Sequence, residues 1–117
     1  MAVLVIGLLP SLDRASLCLT NLAEADFDAA NISIVTESPD DAARIGNVGG
    51  PLAGANVENL AARLAGLGLP AEAAALYQQG VVSGKVFIAI ATPDAADAAA
   101  EMLGDSRADA VRIFREG

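Results

Sequence analysis

The chain has no histidine, no tryptophan, one cysteine, one tyrosine and only seven basic residues among 117. Each shortage removes a class of function. Without histidine there is no Ser-His-Asp or Cys-His triad, no imidazole acid–base chemistry and no histidine-ligated zinc. With Cys18 as the sole cysteine there is no internal disulfide and no thiolate cluster for a metal. Cys18 lies between Leu17 and Leu19 in a helical pattern and reads as a core thiol. Aromatics make up 3% of the chain, so its core must be built from Ala, Val, Ile and Leu. The basic residues (Arg14, Arg44, Arg63, Lys85, Arg107, Arg112, Arg115) are scattered, and the net charge is -8. Nucleic acid and anionic lipid both call for basic patches, so neither is expected as a partner.

Long apolar runs of membrane-spanning length are also missing. The longest stretch free of charge, Ile45 to Val57, is thirteen residues, against the roughly twenty a span requires. The apolar start, Met1 to Pro10, lacks a basic leader and an A-x-A-type cleavage site, and Asp13 and Arg14 follow soon after. The expectation is a soluble, cytoplasmic protein with no membrane span. Apolar residues reach 54%, enough to offset chain entropy and argue against disorder.

What is present is a pattern of strands. Val3 to Ile6 and Val86 to Ala91 are apolar at every position, whereas Ile32 to Thr36 and Ala110 to Arg115 carry polar residues between apolar ones. Continuous apolar runs suit strands buried on both faces, and mixed runs suit edge strands with one wet face. The first and third strands are therefore expected at the centre of a sheet, flanked by the second and fourth.

Between them lie helix signals. Ser11 is a cap for a helix carrying Leu12, Ala15, Leu19 and Leu22 on one face. Ser38-Pro39-Asp40-Asp41 and Thr92-Pro93-Asp94 are further starts, with a cap, a proline and acids at the positive end of the helix dipole. Val57, Leu60, Leu64 and Leu67 form an apolar stripe, and Pro70 opens a helix from Ala71 to Gln79 that should stop at Gly80. Strands are expected at about 2–9, 31–37, 85–92 and 109–115. The order is strand, helix, strand, helical insert, strand, helix, strand. Without the insert this is the β-α-β-β-α-β ferredoxin-like unit, whose first and third strands are central. The expected fold is one α+β domain over residues 1–117, a four-stranded antiparallel ferredoxin-like sheet with a helical insert at about 39–84.

Two stretches resemble a known family. Leu22-Ala-Glu-Ala-Asp-Phe-Asp-Ala-Ala-Asn-Ile-Ser-Ile-Val35 is similar to the first helix-to-strand junction of bacterial general stress protein 17M-like domains. Leu67-Gly-Leu-Pro-Ala-Glu-Ala-Ala-Ala-Leu-Tyr-Gln-Gln-Gly80 and the strand that follows resemble that family's Gly-(Ile/Leu)-Pro turn, tyrosine-bearing helix, glycine and apolar strand. The resemblance implies a ferredoxin-like fold and no enzyme activity. Many such relatives carry a long glycine zipper between the second and third strands. Here only Gly46, Gly49, Gly50 and Gly54 remain, followed by a helix with Glu58 and Arg63.

Candidate sites are few. The cluster around Asn47, Gly49 and Gly50 reads as a tight turn, with an anion cradle of backbone N–H groups as the alternative; it lacks the Gly-Lys-Ser/Thr end of a P-loop. Asp26, Asp28 and Glu37 have part of a calcium-loop spacing, but Ala30 and Asn31 occupy positions that need a ligand and a glycine. Tyr77 reads as a ring packed on the sheet with its hydroxyl at the rim, or else as a stacking platform for a ligand near Lys85. Glu37, Asp40 and Asp41 cluster near a helix start, where paired carboxylates can do acid–base work, but helix-dipole capping explains Asp40 and Asp41 without it.

Leu52, Val57, Leu60, Leu64 and Leu67 form the one feature where function competes on equal terms. Two helices cover only one face of such a sheet. The insert must cover the other face, or a second subunit must. The function expected is non-catalytic, with no cofactor and no metal: self-association as a homo-oligomer or docking on a protein partner, in a stress-linked setting as the resemblance implies. The alternatives are a small-ligand sensor using Asn47, Gly49, Gly50, Tyr77 and Lys85, and an accessory subunit of a larger enzyme complex.

Overall fold

A strand that is apolar at every position is stable only where both of its faces are covered, and the two such strands of this chain lie side by side. A computed structural model describes residues 3–27, 31–37, 58–92 and 95–115. Among them the elements run β1 (Val3–Leu9), α1 (Leu12–Glu24), β2 (Ile32–Val35), α2 (Leu60–Gly66), α3 (Ala71–Val82), β3 (Val86–Ala91), α4 (Ala96–Asp105) and β4 (Asp109–Arg115). The strands form one sheet in the order β2-β3-β1-β4, antiparallel at every pairing. The protein is thus α+β, with β1 and β3 central as their sequences require.

Alternation along the strands divides the core in two. Val5, Leu9, Val86, Ile88, Ile90, Ile32 and Ile34 face Ala15, Cys18 and Leu22 of α1 and Ala99 and Leu103 of α4. On the opposite face Leu4, Ile6, Leu8, Phe87, Ala89 and Val35 meet Leu60 and Leu64 of α2, Leu69, and Ala73, Ala74, Tyr77 and Val81 of α3. The described part of the insert is therefore a helical hairpin that closes the second face of the sheet. Burying each large aliphatic side chain contributes roughly 1.5–3 kcal/mol, so this seam is a main support of the fold.

The helix ends follow one rule. After each of the four described helices comes a residue with positive φ, and the next N–H reaches back to a carbonyl of the last turn. Asp26 (φ 68) closes α1, Gly68 (φ 107) closes α2, Gly84 (φ 98) closes α3 and Arg107 (φ 65) closes α4. The returning bonds are Phe27 N–H to Leu22, Leu69 to Leu64, Lys85 to Gly80 and Ala108 to Leu103, at 3.0–3.2 Å. This is the Schellman closure, which satisfies carbonyls that the helix leaves free. At its start α1 is capped by Ser11, whose hydroxyl accepts from the Arg14 N–H at 3.2 Å.

Three expectations need correction. The helix after Pro70 does not stop at Gly80 but runs through it to Val82. Gly80 is there for a close approach: a Cβ at this position would fall on both Leu8 Cδ atoms of β1. The last helix begins at Ala96, later than the proline start implied, although Thr92 does cap the turn before it, accepting from the Ala95 N–H at 3.1 Å. The second strand, expected to have a wet face, is buried at every position, including Ser33 and the following Thr36.

The fourth strand carries an irregularity. The pairing Ile6↔Arg112 gives way to Leu8↔Asp109, so Ala110 and Val111 together stand opposite Gly7. Such a bulge adds one residue to one strand and bends it. Ala110 takes the left-handed conformation this requires, with φ 54.

Candidate functional site

Of the residues expected at a ligand or partner site, the described ones, Leu60, Leu64, Leu67, Tyr77 and Lys85, are engaged in contacts within the chain. Leu60 and Leu64 are 0% exposed. Both point into the seam against the sheet, so neither side chain has a face for a partner in this conformation. Leu67 is partly buried against the same core. The described part of the stripe is occupied by the chain's own sheet. Leu52, Val57, Asn47, Gly49 and Gly50 lie outside the described residues, as do Asp28, Asp40 and Asp41.

Tyr77 is 1% exposed. Its ring meets the Phe87 ring edge-on, with centroids 5.4 Å apart and planes at 72°, a favourable arrangement for aromatic quadrupoles. Its hydroxyl donates to the backbone carbonyl of Ala110 at 2.5 Å. The ring has no free face for a stacked ligand. Burial pushes the phenol above its ordinary pKa, and the positive charge of Arg112 partly opposes this. Next to Tyr77, the Gln78 side chain accepts the Ala61 N–H at 3.2 Å and so fastens α3 to the start of α2.

Lys85, the other proposed ligand contact, is paired instead. Its Nζ lies 3.1 Å from the Asp109 carboxylate at the start of β4, in an exposed pair. Cys18 is fully buried. Burial raises the pKa of its thiol, tempered by the nearby Ser106 hydroxyl. A thiol kept protonated and dry is a poor nucleophile. A shallow depression of about 310 Å³ lies between the ends of α1 and α4, lined by Asn21, Glu24, Ala25, Met102 and Asp105. Among the described residues no group of three or more His, Cys, Asp or Glu is placed to hold a metal. None of their helices is long and apolar enough to cross a membrane.

The accessible feature is an edge. Of the two outer strands β2 is buried throughout, while Asp109, Ala110, Val111 and Arg112 of β4 are exposed. The backbone orientation along β4 follows from β1. The Thr92 N–H bonds to the Val3 carbonyl at 2.9 Å, so Val3 and Val5 direct their peptide groups toward β3, and the alternate residues Leu4 and Ile6 direct theirs toward β4. The partners of Leu4 and Ile6 are Phe114 and Arg112, whose peptide groups therefore face inward. Val111, Ile113 and Arg115 then present N–H and C=O outward, where among the described residues no strand pairs with them. Sequence reasoning had placed this strand at an edge without treating it as a site. The signal was its alternation, with Arg112 interrupting an apolar run.

No protein-family model, curated protein or solved structure matches the chain.

Proposed function

We propose that the protein is a non-catalytic binding module that acts through protein contacts, by docking on a partner or by self-association, at the open edge of its sheet. The observation that carries this reading is the contrast between the two edges. β2 is buried at each position, whereas Asp109, Ala110, Val111 and Arg112 of β4 are exposed and the strand offers an outer row of peptide groups. Such a row is a ready template for an added strand. Both faces of the sheet are covered by the chain's own described helices. The dispersal of Tyr77 and Lys85 into structural contacts speaks against the ligand-sensor alternative.

We read the architecture as a ferredoxin-like sheet elaborated by the α2–α3 hairpin. The support is the order β4-β1-β3-β2, with β1 and β3 central and α1 and α4 together on one face. The stress-linked setting and the cytoplasmic location rest on the sequence reading alone.

Native mass spectrometry of protein purified gently from its source tests the function. A homodimer, or a complex with a second protein chain, is the expected result. A stoichiometric small molecule on a monomer would overturn it in favour of a sensor.

A further inference from the structure

We infer that the outer edge of β4 receives an extended acidic segment of a protein partner, which adds to the sheet as a fifth strand; this rests on the docking function proposed above and names its partner. Charge complementarity selects the occupant. The chain carries a net charge of -8, yet its open edge is positive. The carboxylate of Asp109 is met by Lys85 at 3.1 Å, which leaves Arg112 as the remaining charge among the strand's described side chains. Arg112 is exposed and makes no ion pair among the described residues. An added strand places its side chains directly opposite those of β4, where opposite charges attract and like charges repel. A second copy of this chain is the poorer fit. It would bring two positive strands together at the contact and two strongly acidic bodies behind them.

The bulge defines how far the added strand reaches. Ala110 is in the left-handed region, and its carbonyl is occupied by the Tyr77 hydroxyl, so regular pairing runs from Val111 toward Arg115. Within it, the outward peptide groups of Val111 and Ile113 hold the partner's backbone. Val111, 36% exposed, supplies an apolar contact. The segment that fits is short, extended and alternates acidic with β-branched residues.

The test uses the full chain and two synthetic probes, acetyl-(Glu-Val)3-Glu-amide and its lysine counterpart, with amide exchange followed residue by residue by NMR. In the free protein Val111 and Ile113 should exchange fast, and Arg112 and Phe114 slowly. The acidic peptide should slow Val111 and Ile113 by about tenfold or more, and the lysine peptide should not. Arg112→Glu should abolish the effect of the acidic peptide and transfer it to the lysine peptide, with the neutral Arg112→Gln falling between. No slowing by the acidic peptide, or equal slowing by both, would overturn the inference. So would slowing of Val111 and Ile113 on raising protein concentration alone, since a second copy would then hold the edge. These failures leave the docking function standing; that fails instead when the native mass spectrum shows a small-molecule complex.

Discussion

The hydroxyl of Tyr77, on the hairpin that covers one face of the sheet, donates to the carbonyl of Ala110, the bulge residue of the outermost strand. One bond thus joins the second helical layer to the strand that carries the proposed binding edge. It also fixes the left-handed turn of Ala110, a conformation that a side chain with a Cβ adopts only at some cost.

Tyr77→Phe keeps the ring against Phe87 and removes only this bond. The expected loss is about 1–2 kcal/mol, because the Ala110 carbonyl is left without its donor; chemical denaturation measures it. The same residue gives a pH dependence. Burial raises the pKa of Tyr77 and of Cys18 in the folded state. Their contribution is therefore fully present below the unfolded values and is lost as pH rises past 9.0 for the thiol and 10.0 for the phenol. Stability should fall on the alkaline side, and Tyr77→Phe should flatten the part of that fall that begins at the higher pH.

Arg107 closes α4 in a conformation better suited to glycine. It is exposed, with φ 65, so replacing it removes backbone strain and little else. Arg107→Gly should stabilise the protein by about 1 kcal/mol, seen as a rise in melting temperature. Gly84→Ala, at φ 98, should do the reverse.

Gly80 lies within the last turn of α3, and inside a helix alanine is intrinsically better by about 1 kcal/mol. Here alanine should be worse. Its Cβ would crowd the Leu8 side chain, with Leu8 Cγ only 3.2 Å away, and Leu8 is itself buried. Overpacking of this kind costs about 1–3 kcal/mol. Leu8→Val removes the two Cδ atoms that this Cβ would meet, so the double variant should be more stable than the sum of the two single changes, a non-additivity that a double-mutant cycle measures.

These residues also mark what was legible beforehand. Hydrophobic periodicity placed β1 and β3 at the centre because a fully apolar strand has only one stable location. It placed β4, at Asp109 to Arg115, to the residue. It could not tell a helix-ending glycine from a packing glycine, since Gly80 and Gly84 look alike until Leu8 is positioned across from one of them. Nor could it find the left-handed closures at Asp26 and Arg107, because neither is the glycine that usually announces one. Ser33 and Thr36 suggested a wet edge, but their burial depends on what packs around β2, and alternation along the strand does not carry that information. For the candidate site, the spacing of Leu60 and Leu64 marks an apolar surface that must be hidden, and both are buried. Whether a partner or the same chain hides it is a matter of tertiary contact.

Denaturant unfolding of Leu64→Ala tests that point most directly. Leu64 is fully buried between α2 and the sheet, so its truncation should lower stability by about 2–5 kcal/mol in a single cooperative transition. A change below about 0.5 kcal/mol, the range of ordinary surface substitutions, would mean that the hairpin does not close the sheet, and that its apolar stripe is free for a partner after all.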